Sequence, residues 1–157
     1  MRSEPQLIRS APRPALLATL AIDWRSRLIG GLSAVLACVL IWLAGGAMGA
    51  SFVVSFGAED ASMEVTLGAV IGSVLAAATA GWVLLIALEL LTTRARTIWT
   101  AVALTVAAAS LLPAFSYEAD IETTLSLTFM HIAAAAVIVP FFRRRGDTTA
   151  GKTHKER

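Results

Sequence analysis

Four apolar stretches of close to twenty residues dominate the chain, separated by short polar connections. They run from Leu28 to Met48 (LIGGLSAVLACVLIWLAGGAM), from Leu67 to Leu91 (LGAVIGSVLAAATAGWVLLIALELL), from Ile98 to Phe115 (IWTAVALTVAAASLLPAF) and from Leu125 to Phe142 (LSLTFMHIAAAAVIVPFF). A helix of about 20 residues, rising about 1.5 Å each, crosses about 30 Å of hydrocarbon. Lipid offers no partner to an unpaired backbone group, so each stretch is predicted to be helical. The expected fold is all-α: a four-helix transmembrane bundle running up-down-up-down with short connections. Residues 1–27 form an N-terminal arm, 28–142 the membrane domain and 143–157 a basic tail.

The polar positions orient this bundle. Arg2, Arg9, Arg13, Arg25 and Arg27 precede the first span, Arg94 and Arg96 separate the second from the third, and Arg143, Arg144, Arg145, Lys152, Lys155 and Arg157 follow the fourth. That accounts for all 13 basic residues. The other two connections carry acids: Glu59, Asp60 and Glu64 in one, Glu118, Asp120 and Glu122 in the other. With an even number of spans every basic residue lies on one side, which the positive-inside rule makes cytoplasmic. The expected location is the plasma membrane, with both termini inside and the lipid bilayer as the first partner. Trp24 and Trp99 are expected at the inner interface and Tyr117 at the outer one. With the flanking arginines 25, 27, 94, 96, 143, 144 and 145, they are the candidate anchors.

Composition agrees: 57% of residues are apolar and 15% charged, against about 45–50% and about 25% in soluble domains. A signal-peptide reading of the first span, with AMGA as the cleavage site, is weakened by the length of the run and by the Trp near its end. The stretch 14–22 (PALLATLAI) is too short to span and reads as an interfacial helix or as a lead-in to the first span.

Residues 146–153, GDTTAGKT, match the phosphate-binding pattern G-x-x-x-x-G-K-[ST] letter for letter. The pattern works where a strand delivers a Gly-rich turn to a helix N-terminus. Here FFRRR precedes it and only HKER follows. It is read as a chance match in a solvated tail, and no nucleotide is expected. There is no nucleophile–base set, no paired catalytic carboxylate and no metal-ligand spacing. The one cysteine, Cys38, lies within an apolar run. The basic residues are too tied to helix ends to form a nucleic-acid face. No enzyme, cofactor or metal site is expected.

The candidate intramembrane polar site is His131 with Thr128 and Thr124, which share a face with Ala135 at helical spacing. The stripe is expected to face other helices, as an ionisable residue in a membrane usually does. Its roles are a proton relay or ligand contact, or a neutral imidazole bonded to Ser73, Thr79, Thr105 or Ser110. Glu89, near the inner end of the second span, reads as an interfacial carboxylate that reaches water or pairs with Arg25, Arg27, Arg94 or Arg96. Alternatively, it is the acid of a cytoplasm-facing cavity. Small residues recur at every fourth position of the second span (Gly68, Gly72, Ala76 and Ala80) and in the first at Gly30, Ala34 and Cys38, then Gly45 and Gly49. Such stripes permit close helix packing, within one chain or between copies, with packing inside the chain preferred here.

GWVLLIALELLTTRARTIWTAVAL and LTFMHIAAAAVIVPFFRRR resemble the centre and the last span of an actinobacterial membrane-protein family known as domain of unknown function 6069. Trp82, Glu89, Arg96, Trp99, His131 and Pro140 match its recurring positions. Leu90 stands where that family often has Arg. The resemblance covers residues 28–145 and implies four spans and no known activity. Two functions from different classes follow. One is a non-enzymatic interaction or envelope-associated protein, working as a homo-oligomer or with a membrane-protein partner. The other is a small oligomeric transporter or channel component using His131 and Thr128.

Overall fold

The computed structural model describes residues 14–55, 62–112 and 118–143, with side chains from Trp24 onward. Arg144, Arg145 and the GDTTAGKT stretch lie outside the described residues, as do Tyr117 and Pro113. Four helices form the body: α1 (Pro14–Ala47), α2 (Leu67–Leu91), α3 (Ala95–Ala109) and α4 (Ile121–Arg143). The connection from α1 to α2 carries two short strands, β1 (Val53–Ser55) and β2 (Ser62–Glu64), paired antiparallel with Val53 opposite Glu64. This hairpin is absent from the purely helical expectation. Three-residue strands leave too little alternation to read in a sequence.

Contacts between helix ends fix the arrangement. The middle of α1, at Ser26 and Arg27 where its apolar run begins, meets the ends of α2 and α4 through Arg27–Glu89 and Ser26–Phe141, and the start of α3 meets the end of α4 through Arg96–Arg143. At the other end, Trp42 of α1 reaches Val65 just before α2, and Thr123 at the start of α4 reaches Phe52. Consecutive helices therefore run antiparallel, up-down-up-down, and each packs on its neighbours in chain order, with α4 closing onto α1. The α1–α4 pair is the largest interface.

Two boundaries differ from the sequence reading. The first helix begins at Pro14, a residue type suited to a first turn, and continues unbroken for 34 residues. The stretch 14–22 is thus a lead-in to the first span, and the expected boundary at 27/28 falls inside a helix. The third helix covers 15 residues, not Ile98–Phe115. It stops where the Ser110 hydroxyl turns back to the Ala107 carbonyl at 2.7 Å, three residues before Pro113, which disfavours helix in the residue preceding it. At about 1.5 Å per residue α3 is about 22 Å long. Three helices, α1 from Trp24, α2 and α4, are long and apolar enough to cross a membrane. Arg96, in the first turn of α3 beside the end of α4, and Glu118, whose backbone bonds Ser55 in the hairpin at 2.9 Å in both directions, nevertheless lie at opposite ends of the bundle.

Small residues in α1 let it approach α4. Gly30, Ala34, Cys38 and Gly45 are buried. A methyl group added at Gly30 would stand 2.6 Å from Cβ of Phe141, and one at Gly45 would collide with the Ser126 hydroxyl and lie 2.9 Å from the Phe52 ring. Cys38 sits against the Met130 carbonyl at 3.5 Å. One core cluster joins Ala34, Cys38, Phe52, Val70, Val74 and Met130. A second, nearer the arginines, joins Leu85, Trp99 and Phe142. The outer surface of the helices is apolar. Leu28, Leu32, Leu36, Leu40 and Leu43 form an exposed stripe on α1, and Leu125, Phe129 and Ile132 lie exposed on α4. A surface of this kind suits lipid and not water.

Candidate functional site

The polar chemistry gathers at the two ends of the bundle. At one end Glu89, in the last turn of α2, lies between two arginines. Its carboxylate accepts from Nη2 of Arg27 at 3.3 and 3.4 Å, and Nε of Arg96 stands 3.7 Å away. The Arg27 side chain is only 4% exposed, so its charge depends on partners for compensation. Arg96 also donates from Nη1 to the Arg143 carbonyl at 3.1 Å, capping the end of α4 with positive charge. Of the pairings expected for Glu89, those with Arg27 and Arg96 form. They tie α1, α2, α3 and α4 into one joint. Arg27 is a structural member of this joint and not an exposed anchor, whereas Arg25, Arg94 and Arg143 are exposed.

Trp99 departs from its expected interfacial role. It is 2% exposed, donates from its indole N–H to the Gly81 carbonyl of α2 at 2.7 Å, and stacks on Phe142 of α4 at 5.3 Å. A methyl group at Gly81 would make ordinary contact with the indole at 3.6 Å, so the bond uses a backbone carbonyl and does not require the glycine. Trp24 is 42% exposed, as an anchor requires.

At the opposite end the Asp120 carboxylate caps α4. It accepts from the Thr123 backbone at 2.6 Å and from the Ser51 backbone at 3.2 Å, as well as from the Ser51 hydroxyl. The Ser51 hydroxyl, then the Thr123 backbone and side chain, hold this carboxyl well below the usual carboxylate range. The buried Thr123 hydroxyl accepts from the Phe52 backbone at 2.9 Å. Phe52 adopts φ 54°, an uncommon left-handed conformation for a bulky residue. Its ring stacks on Trp42 at 5.2 Å, its carbonyl accepts from Val65 at 2.7 Å, and the Trp42 indole donates to the Val65 carbonyl at 3.0 Å. Ser51, Phe52, Thr123 and Ser126 have no place in the sequence reading, and Asp120 appears there only among the acids of its connection. The available signal was Asp120 three residues before Thr123, a helix-start pattern.

The expected intramembrane site does not assemble within the chain. His131 is exposed, and its Nδ1 lies 2.7 Å from the Leu127 carbonyl of its own helix. Thr128 donates to the Thr124 carbonyl at 2.8 Å. Of its four expected partners, Ser73 and Ser110 bond their own helices, at Val70 and Ala107. The face of α4 turned inward is the neighbouring one, Thr123, Ser126 and Met130. On α2 the inward residues are Val70, Val74, Ala78 and Leu85. The Gly68, Gly72, Ala76 and Ala80 stripe is exposed, with nothing within 4 Å of a methyl group built at Gly72. Among the described residues it packs on no helix, because the β-branched side chains at 70 and 74 fill the inner side. Among the described residues no group of three or more His, Cys, Asp or Glu could hold a metal ion.

A helical bundle with three helices long and apolar enough to cross a membrane, an apolar exterior and its charge at the two ends fits a membrane protein by class. The chain belongs to the Family of unknown function (DUF6069), whose model matches residues 18–148. No curated protein and no solved structure matches it.

Proposed function

We propose that this is a four-span plasma-membrane protein with both termini in the cytoplasm, acting without catalysis by association with other membrane helices. The orientation is supported by charge. Arg25, Arg27, Arg94, Arg96 and Arg143 gather where the apolar part of α1 and the helix α3 start and where α2 and α4 end, while Glu64, Glu118, Asp120 and Glu122 gather at the hairpin end. In this reading α3, which lies between the arginine-rich end and Glu118 at the hairpin end, belongs to the fourth crossing.

One observation carries the association reading: the Gly68–Gly72 face of α2 is exposed, while the chain's other small-residue stripe is used for close packing. A GxxxG face lets a second backbone come near, and in lipid that packing drives assembly. Transport through His131 and Thr128 gains no support from this geometry, since both side chains bond their own helix. Native mass spectrometry of the protein extracted in mild detergent tests the reading. A second copy or a bound membrane protein, lost in Gly72→Leu, is expected. A single partnerless copy, unchanged by Gly72→Leu, contradicts it.

A further inference from the structure

We infer that the groove between α3 and α4 at the arginine-rich end binds one anionic phospholipid. Its phosphodiester is held by Arg143 and Arg96, and an acyl chain lies along Ala101 and Leu104. The inference rests on the membrane reading above but not on association through α2.

The groove has a volume of about 490 Å³ and is lined by Arg96, Thr97, Thr100, Ala101, Leu104 and Arg143. Small-ligand sites run about 300–1,000 Å³, so a headgroup and its first carbons fit. Its chemistry changes along its length in the order an amphiphile requires. Its arginine-rich end is lined by Arg96 and Arg143, a residue type whose guanidinium bonds phosphate oxygens in a fixed planar geometry, and by the exposed Thr97, whose hydroxyl is a further donor type. One and two turns deeper on the same face of α3 come Ala101 and Leu104. Leu104 is eight residues past Arg96, about 12 Å further into the bilayer.

Two features favour a negative headgroup over a zwitterionic one. Five arginines stand at this end, Arg25, Arg27, Arg94, Arg96 and Arg143, against the one carboxylate of Glu89 among the described side chains there. That carboxylate is already shared between Arg27 and Arg96, so a choline ammonium would meet cations. Arg96 is also held in place before any ligand arrives, by Glu89 at Nε and by the Arg143 carbonyl at Nη1. Less ordering is then lost on binding. The groove opens beside the first turn of α3, where the helix dipole favours an anion.

The test is native mass spectrometry of the full chain in detergent, titrated with phosphatidylglycerol, with phosphatidylcholine, and with inorganic phosphate as competitor. The expected result is one phosphatidylglycerol per chain, held about tenfold more tightly than phosphatidylcholine and undisturbed by millimolar phosphate. Arg143→Gln should weaken it about tenfold, while Arg94→Gln, at the same end but outside the groove, leaves it unchanged. Ala101→Trp fills the groove without touching a charge and should give the same loss as Arg143→Gln. Equal weakening by Arg94→Gln would show diffuse charge attraction and overturn the site, as would equal binding of the two lipids. Displacement by inorganic phosphate would assign the arginines to a soluble anion and overturn the lipid. If the membrane reading itself fails, the chain is recovered from the aqueous phase without detergent, an outcome distinct from all of these.

Discussion

Along α1, Gly30, Ala34, Cys38 and Gly45 lie buried against α4; along α2, Gly68, Gly72, Ala76 and Ala80 form a similar stripe that faces outward. The two look alike as letters, and their surroundings separate them. Opposite the α1 stripe stand groups that fill the room it leaves: Phe141 at Gly30, the Met130 carbonyl at Cys38, Ser126 and Phe52 at Gly45. On α2 the opposite face carries Val70, Val74 and Leu85, which supply more buried area than glycine and alanine can. Small residues permit close approach, and the chain uses that permission where a partner surface exists. In the proposed association reading, the stripe that meets no helix among the described residues serves a partner outside the chain.

The sharpest break of this comparison is a pair of matched substitutions. Gly45→Leu drives a side chain into Ser126 and Phe52 and should cost about 3 kcal/mol in detergent unfolding, whereas Gly72→Leu should change the stability of the single chain by no more than about 0.5 kcal/mol. Equal losses would show that α2 also packs by its small stripe. Next in size is the joint that holds the arginine-rich ends together. Glu89→Gln leaves Arg27 with less compensation, and a destabilisation of about 2 kcal/mol is expected, reduced from the fully buried case because the Glu89 side chain is 28% exposed. Trp99→Phe keeps the stacking on Phe142 and removes the bond to Gly81, an effect of about 1 kcal/mol readable in the same unfolding assay.

Asp120 gives a pH test of the opposite end. Its folded carboxyl titrates below the ordinary value, which is about 3.9. A depressed folded value means that the contribution is present above the unfolded value and lost as pH falls through the folded one. The stability gap between wild type and Asp120→Asn should therefore be constant from about pH 8 to 5 and narrow only below about pH 4. A gap that closes near pH 6 would show that the carboxylate does not hold the hairpin to α4. The smallest effect belongs to His131→Ala, which removes a side chain bonded to its own helix on an exposed face. No more than about 0.5 kcal/mol is expected.

The long spans and the two charged ends were legible because lipid solvation acts on whole runs of residues, and a run of twenty apolar letters has few other readings. The pairing of Glu89 with Arg27 and Arg96 was legible among four candidate arginines, since all three fall at the ends of apolar runs that an up-down-up-down order brings together. Facing was harder to read. On α4, Thr124, Thr128 and His131 share one stripe and Thr123 and Ser126 an adjacent one, and helical period alone does not say which turns inward. Threonine and serine can bond their own backbone, so a polar stripe carries no obligation to meet another helix. The same ambiguity misplaced Trp99, whose ring suits an interface or a core that offers one carbonyl. The hairpin and the Ser51–Asp120–Thr123 cap depend on contacts across about 70 residues, which local pattern does not carry.

Single-cysteine labelling in intact cells, in a Cys38→Ala background, tests the central claim of four crossings. Ser62→Cys and Glu118→Cys lie at the hairpin end and Thr93→Cys at the arginine end, with α3 between Thr93 and Glu118. The account predicts that an impermeant thiol reagent labels positions 62 and 118 from outside and reaches 93 only after permeabilisation. Labelling of positions 93 and 118 from the same side would mean that α3 does not cross, and would contradict it.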